Sequence, residues 1–322
     1  MQRLLGIVVT TTVLSFLAPA AAEVVASADE RQIGRFAVDT LADGIYLFRP
    51  ADARSERTNS LVVERDDGLL VVDAQPSPAA AEEFLRALTR LTPKPVRYLV
   101  LSHPHADAAG GASGFPRETV VIASQGCHDA MADAGYDFGA EARARGGDAF
   151  KEPKRRLPTV IPIGTLLLDD AKHLVRIFPL PKMPAHSIGD LVVWVPDSGV
   201  IAIGDLLFPS RALWIKGGDL GNWLDVLNGL LEERPKIVVT LRGPSGDTQE
   251  MRRTRDAVAW IRGQVQQAFV DRLAPGIMPD RIMASPDLAN QFGAEVPRPT
   301  LRALIEQAVR EVQDFRRKHG IS

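Results

Sequence analysis

Past Phe36 the chain breaks into short apolar runs bounded by turn residues, the pattern of buried strands. Gly44–Phe48, Ser60–Glu64 and Leu69–Asp73 read as strands, with Asp66-Asp67-Gly68 turning a hairpin between the last two. The period then changes. After Ser77, with Pro78 in the first turn, Phe84, Leu85, Leu88 and Leu91 recur at helical spacing, so a helix is predicted to end near Leu91, before Pro93 and Pro95. Val96–Leu101 and Thr119–Ala123 return to strand character, and Ser124 is placed to cap a helix reaching about Ala134.

The alternation resumes after a break between Arg156 and Gly164. Thr165–Leu168, His173–Phe178, Leu191–Val195 and Val200–Ile203 read as strands, with Asp197-Ser198-Gly199 as the last turn. Asn222–Leu231 reads as helix, Lys236–Thr240 as strand and Thr248–Leu273 as a long helix. Two β-rich halves, each ending in helices, are satisfied by an α/β architecture of two sheets packed face to face with helices outside. Pro275–Val296 has little periodicity. Leu301, Leu304, Ile305, Ala308, Val309, Val312 and Phe315 form one apolar stripe on a final helix, which docks on the parent domain by default, with a dimer contact as the alternative.

Composition narrows the setting. The chain has 322 residues, 45% hydrophobic and 24% charged, enough for a sizeable core. A formal net charge of -2 provides no field to recruit nucleic acid or an anionic membrane. The single cysteine, Cys127, has no partner for an intramolecular disulfide and cannot build a thiolate metal site, so any metal must be held by His and carboxylate. Arg3, the apolar run Leu4–Leu17 and Ala20-Ala21-Ala22 read as a secretory signal occupying residues 1–22, too short to span a bilayer. A secreted or periplasmic protein is expected, without a membrane span once the signal is removed.

The candidate chemistry centres on Leu99–Gly111, LVLSHPHADAAGG. In an extended or tightly turning segment, side chains at i and i+2 point the same way, so His103 and His105 can aim both imidazoles at one cation. Imidazole suits zinc, iron, copper and nickel. A polar turn after a strand is the plainer reading, but it leaves Asp107 and Gly110-Gly111 unexplained. The polar stretch Tyr136–Arg156, with Lys151, Lys154, Arg155 and Arg156, reads first as a solvated surface loop or helix, with a mobile flap or a basic lip over a site as the alternatives.

These marks resemble the metallo-β-lactamase-fold hydrolases: an Asp ending a strand (Asp73), a His-x-His-x-Asp run with a Gly pair (His103, His105, Asp107, Gly110-Gly111), a lone His (His186) and an Asp after a strand (Asp205). They stand in the family's order and cover roughly Phe36–Gln267. The resemblance implies a four-layer αβ/βα sandwich over residues 36–275, with residues 276–322 as a C-terminal extension. Two positions depart from the family's pattern. Ala108 stands where the second motif carries its last histidine, and Arg242 where the final histidine belongs. Both departures fall on the family's second metal site.

The resemblance therefore implies one zinc ion, with iron as the alternative, held by His103, His105 and His186, with Asp205 ligating it directly or accepting a hydrogen bond from its water. Three neutral imidazoles leave a fourth position for a water whose pKa zinc lowers to about 7. Asp107 is the expected catalytic carboxylate, Asp73 would orient a histidine, and Arg242 would put a fixed cation where a second ion would sit and hold an anionic substrate group. Three functions stay open. They are an exported metallo-hydrolase of a small molecule, a mononuclear iron sulfur dioxygenase using His103, His186 and Asp205, and a non-catalytic binding protein. His128, His173 and His319 have no motif partner and are expected to be ordinary.

Overall fold

The computed structural model describes residues 30–52, 55, 57–136, 140, 148–180, 184–207, 218–292 and 296–321. The expected secretory signal, residues 137–139 and 141–147 of the Tyr136–Arg156 stretch, and residues 208–217 lie outside those residues.

Two sheets form the centre. The first runs in order β1 (Glu30–Ile33), β2 (Phe36–Ala42), β3 (Ile45–Pro50), β4 (Ser60–Arg65), β5 (Gly68–Val72), β6 (Val96–Val100) and β7 (Val120–Ile122). The second runs β12 (Ile237–Val239), β11 (Val200–Ala202), β10 (Leu191–Val195), β9 (Leu174–Pro179) and β8 (Leu166–Asp169). Each begins as an antiparallel meander and turns parallel: β5 with β6 and β6 with β7 in the first sheet, β11 with β12 in the second.

The strands read as unbroken apolar runs because both faces of each sheet are covered. Along β4 and β5, Leu61, Val63, Leu70 and Val72 face the second sheet and meet Ile177, Leu191 and Val193 there. Val62, Leu69 and Val71 point the other way, onto α1 (Pro78–Leu91) and α3 (Gln125–Ala132) through Phe84, Leu88, Cys127 and Met131, with the one-turn α2 (Ala106–Ala109) between those helices in the chain. Outside the second sheet lie α4 (Leu220–Glu232) and α5 (Thr248–Val270). The layers are therefore helix, sheet, sheet, helix, as expected.

Several local signals act as read. Ser77 caps α1 by accepting from Ala80 N at 3.3 Å, and Ser124 caps α3 by accepting from Cys127 N at 3.1 Å. Residues 275–296 contain the short helices α6 (Met278–Met283) and α7 (Leu288–Phe292), and α8 (Arg298–Lys318) closes the chain. Leu301, Leu304, Ile305, Ala308 and Val309 of α8 enter the same core as α4 and α5, each large side chain worth roughly 2 kcal/mol in burial. Phe315 departs from the expected stripe: it is 56% exposed and stacks on His319 at a centroid distance of 4.2 Å. No helix of the described residues is long and apolar enough to cross a membrane.

The basic cluster before the second half anchors backbone. Arg156 donates from Nη1 to Phe115 O and Pro116 O at 3.0 and 2.8 Å, and from Nη2 to Arg117 O and Thr119 O at 2.9 and 2.6 Å. Arg155 donates to Asp133 O at 3.0 Å. Arg156 thus staples the turn before β7 and Arg155 the end of α3, which leaves both unsuited to a lip.

Candidate metal centre

The parallel strands of both sheets end at the same edge of the sandwich, and every candidate residue lies there. Asp73 follows β5, Ser102 to Asp107 follow β6, Asp205 follows β11 and Arg242 follows β12, while His186 lies just ahead of antiparallel β10. Open α/β sheets generally bind ligands at these carboxyl ends, because loops there can converge without breaking the ladder.

His103, His105 and His186 come together from 83 residues of chain separation at most. Their ring centroids are 4.8, 5.0 and 5.0 Å apart and their planes cross at 87°, 85° and 89°, so the rings are arranged almost symmetrically. All three are buried, and one ring nitrogen from each lies within 4.8 Å of the others. A second group shares His103 and adds Asp107 and Asp205.

The orientation of each ring has a cause. Ser102 Oγ donates to Asp73 Oδ2 at 3.0 Å and meets His103 Nδ1 at 2.9 Å. With the Ser102 proton directed to Asp73, His103 donates from Nδ1–H, which leaves Nε2 as the atom turned into the site. Asp73 thus acts on the histidine through Ser102, which sequence reasoning did not single out. Likewise His186 Nδ1 meets Asp190 Oδ1 at 3.3 Å, and Asp190 is held by Ser187 N at 2.7 Å and Ser187 Oγ at 2.7 Å. Asp190 was also missed. Its signal was present four residues after His186 in a turn, where a carboxylate can fold back.

The Gly pair serves the same edge. A Cβ on Gly110 would lie 2.2 Å from Pro76 O, and one on Gly111 2.1 Å from Ala74 O, so only glycine lets this turn lie against residues 74–77. That approach is sealed by Ala74 N to Ala108 O at 2.7 Å and Gly111 N to Gln75 O at 2.8 Å. Asn59, another residue not singled out, binds the opposite loop: its Nδ2 donates to Thr240 O at 2.9 Å and Gly243 O at 2.7 Å, which fixes the turn carrying Arg242.

Arg242 reaches into the site and donates from Nη2 to Asp107 Oδ2 at 2.7 Å. Asp107 Oδ1 stands 3.7 Å from His103 Nε2, beyond hydrogen-bond distance. Among the described residues, four carboxyl side chains, Asp73, Asp107, Asp190 and Asp205, are buried here beside one guanidinium, that of Arg242.

Such a concentration of buried acid needs positive charge, and the pKa shifts register it. Burial drives His103 down, but the charges of Asp107, Asp205 and Asp73 outweigh it and lift His103 to about 9. Burial pushes Asp73 up to about 7 against its Ser102 bonds and the His103 charge. Burial also raises Asp190, yet its hydrogen bond and ion pair with His186 hold it below the ordinary carboxylate range.

The residues fit a divalent ion. His103 Nε2 and Asp205 Oδ1 are buried atoms that make no hydrogen bond among the described residues. They flank a set of imidazole and carboxylate donors of the type transition metals take. A cation would meet these atoms and the surplus of buried acid together.

Comparison with known proteins agrees with this geometry. The model of the metallo-beta-lactamase superfamily matches residues 54–242. The linear primary-alkylsulfatase of a Pseudomonas species is 23% identical over 266 residues, covering 71% of this chain and 50% of that protein. The 2,4-dinitroanisole O-demethylase subunit alpha of a Nocardioides species is 25% identical over 171 residues, covering 52% of this chain and 43% of that protein. This chain thus spans about half the length of these two relatives or less.

Among solved structures, the stereoselective inverting sec-alkylsulfatase from Pseudomonas sp. superposes with a TM-score of 0.65 at 16% identity. The match covers 84% of this chain and 49% of that one. A metallo-beta-lactamase from Pontibacter korlensis superposes with a TM-score of 0.55 at 17% identity, covering 70% and 99%. With the family model spanning more than half of its residues, and the fold and histidine cluster in accord, the chain belongs to the metallo-β-lactamase superfamily.

Proposed function

We propose that this protein is an exported hydrolase working with one zinc ion on a small anionic ester, and that a sulfate ester is the substrate class to try first. The observation that carries the reading is the convergence of His103, His105 and His186, buried and mutually perpendicular, at the carboxyl edge of both sheets. Bound by these rings with Asp205 beside them, zinc supplies Lewis acidity and a water acidified enough to be a nucleophile at neutral pH.

The chain's own groups supply the rest. Asp107 has Oδ2 engaged by Arg242 and turns Oδ1 toward His103, which suits Oδ1 to orient the attacking water and take its proton. The Arg242 guanidinium makes no other hydrogen bond among the described residues, so its remaining donors suit a sulfate or carboxylate group. The same guanidinium takes the charge role of a second ion, which supports a mononuclear centre. The alkylsulfatase relative supports the ester class. An iron triad of His103, His186 and Asp205 is less supported, since His186 and Asp205 do not share either donor group.

The test is metal analysis of protein expressed with zinc and iron available, followed by turnover of a panel of alkyl sulfates, alkyl phosphates and a β-lactam. About one zinc per chain is expected. Sulfate-ester hydrolysis should be lost on chelation and in the His103→Ala/His186→Ala variant. Iron in place of zinc, or no metal uptake, would sink the proposal. Anion binding that survives loss of both histidines, without turnover, would point to a binding protein.

A further inference from the structure

The C-terminal helix α8 lies outside the family-matched segment, yet two of its polar side chains reach toward the candidate site. Glu311 Oε1 accepts from Leu220 N at 2.9 Å, and Gln307 Nε2 donates to Gly218 O at 3.0 Å. Gln307 Nε2 also donates to Glu311 Oε1 at 3.0 Å, and Arg262 of α5 pairs with Glu311 Oε2 at 3.0 Å. Leu220 opens α4, so its N–H is one that no intrahelical carbonyl can satisfy. Glu311 satisfies it from another helix.

What residues 218–222 do next is the point. Asp219 N donates to Ala185 O at 2.8 Å, and Asn222 Nδ2 donates to Pro184 O at 3.1 Å. Gly218 is pressed against the same turn, where a Cβ would stand 2.6 Å from both Ala185 O and His186 O. One residue further into α4, the Trp223 ring lies 6.0 Å from the His186 ring. An unbroken series of contacts therefore runs from α8, through residues 218–220, to the backbone that carries His186.

We infer that Glu311 and Gln307 are positioning residues for the metal centre, holding the 218–220 strap against residues 184–186 so that the His186 ring keeps its place beside His103 and His105. The inference rests on the reading of His186 as a metal ligand. Its physical basis is reach: Asp190 fixes the ring of His186 from within its own turn, and Ser124 Oγ and Ser102 O hold the far limb of that turn through Gly189 O at 2.8 Å and Leu191 N at 2.8 Å, which leaves the near limb, residues 184–186, to be held over the sheet edge. The strap does that, and the strap is pinned by α8.

The test measures zinc affinity by chelator competition, and the visible spectrum of the cobalt(II) form, in the full chain and four variants. Glu311→Ala is expected to weaken zinc binding about tenfold and to shift the cobalt bands, the lower end of what losing an outer support of a metal ligand costs. Glu311→Gln keeps an oxygen for Leu220 N and should stay close to wild type. Gln307→Ala, at a partly exposed position, should give a smaller loss of the same kind and carries the test should Glu311→Ala not fold. Leu304→Ala is the control: it lowers the melting temperature through the buried face of α8 and should leave affinity and spectrum unchanged.

Wild-type affinity in both Glu311→Ala and Gln307→Ala would overturn the inference alone. So would an equal loss in Leu304→Ala, which would make the effect one of general docking. A wild-type chain that takes up no ion would overturn both this inference and the proposed function.

Discussion

The Arg242 guanidinium and the Asp107 carboxylate, 135 residues apart in sequence, meet through a 2.7 Å hydrogen bond in a pocket where Asp107 is fully buried. A buried pair of this kind is expensive to break from one side, because the survivor keeps its charge without water. Arg242→Ala should destabilise the metal-free protein by about 3 kcal/mol, and adding Asp107→Asn should restore most of that loss. Denaturant unfolding of the two variants checks it; equal stability of the single and double variants would contradict the pairing.

The same pair bears on stoichiometry. In the proposed mononuclear centre, Ala108 withholds a donor and Arg242 supplies the charge a second ion would bring. Ala108→His/Arg242→His should raise the zinc content from about one to about two ions per chain, since it supplies two imidazoles and removes the resident cation. Content that stays at one would show that the neighbouring pocket is closed for some other reason.

Ser102 stands between Asp73 and His103, with contacts of 3.0 and 2.9 Å. Removing its hydroxyl frees the imidazole to rotate and to change tautomer. Ser102→Ala is expected to weaken zinc binding about tenfold, with a smaller effect on unfolding, and isothermal titration of the metal-free form measures it.

Acid sensitivity has a separate source, at the edge opposite the histidines. Burial pushes the Asp170 carboxyl up, but the backbone N–H groups of His173, Asp66 and Lys172 and the Arg65 charge outweigh it and hold it low. A carboxylate lowered on folding contributes stability above its unfolded pKa, near 3.9, and loses it as pH falls through the folded value. Asp170→Asn should therefore lower the urea midpoint at pH 7 and converge on wild type as the pH falls below the unfolded value. A constant gap across that range would rule Asp170 out as the source.

Most of the sandwich was legible in the order of residues because both sheets are covered on both faces, so their strands are written as apolar runs between turns. β1 was not, since Glu-Arg-Gln-Ile has no such run and earns its place only by pairing with β2. Phe315 was misplaced because helical periodicity continues past the point where α8 leaves its neighbours. At the site, His103, His105 and Asp107 are local and could be read directly, whereas His186, Asp205 and Arg242 were reached only through the family's order of motifs. Ser102, Asp190 and Asn59 escaped because their partners are chosen by the fold, and a lone Ser, Asp or Asn in a loop carries no mark of what it will face.

The clasp at the far edge gives the molecule a polarity. Arg65 reaches from the first sheet to Leu168 O at 3.0 Å and Asp170 Oδ2 at 3.1 Å, and Asp66 accepts from Ala171 N at 3.1 Å, so that margin is fastened by the polypeptide itself. The opposite margin is crossed by the Asn59 bonds to Thr240 O and Gly243 O and by the Arg242–Asp107 pair, and gathers its other loops around the site of the proposed cation. Stripped of it, the two leaves would part from one side only: amide exchange would quicken in residues 102–110 and 184–190 while residues 64–70 and 168–174 stayed slow, and the protein would open as a hinge does.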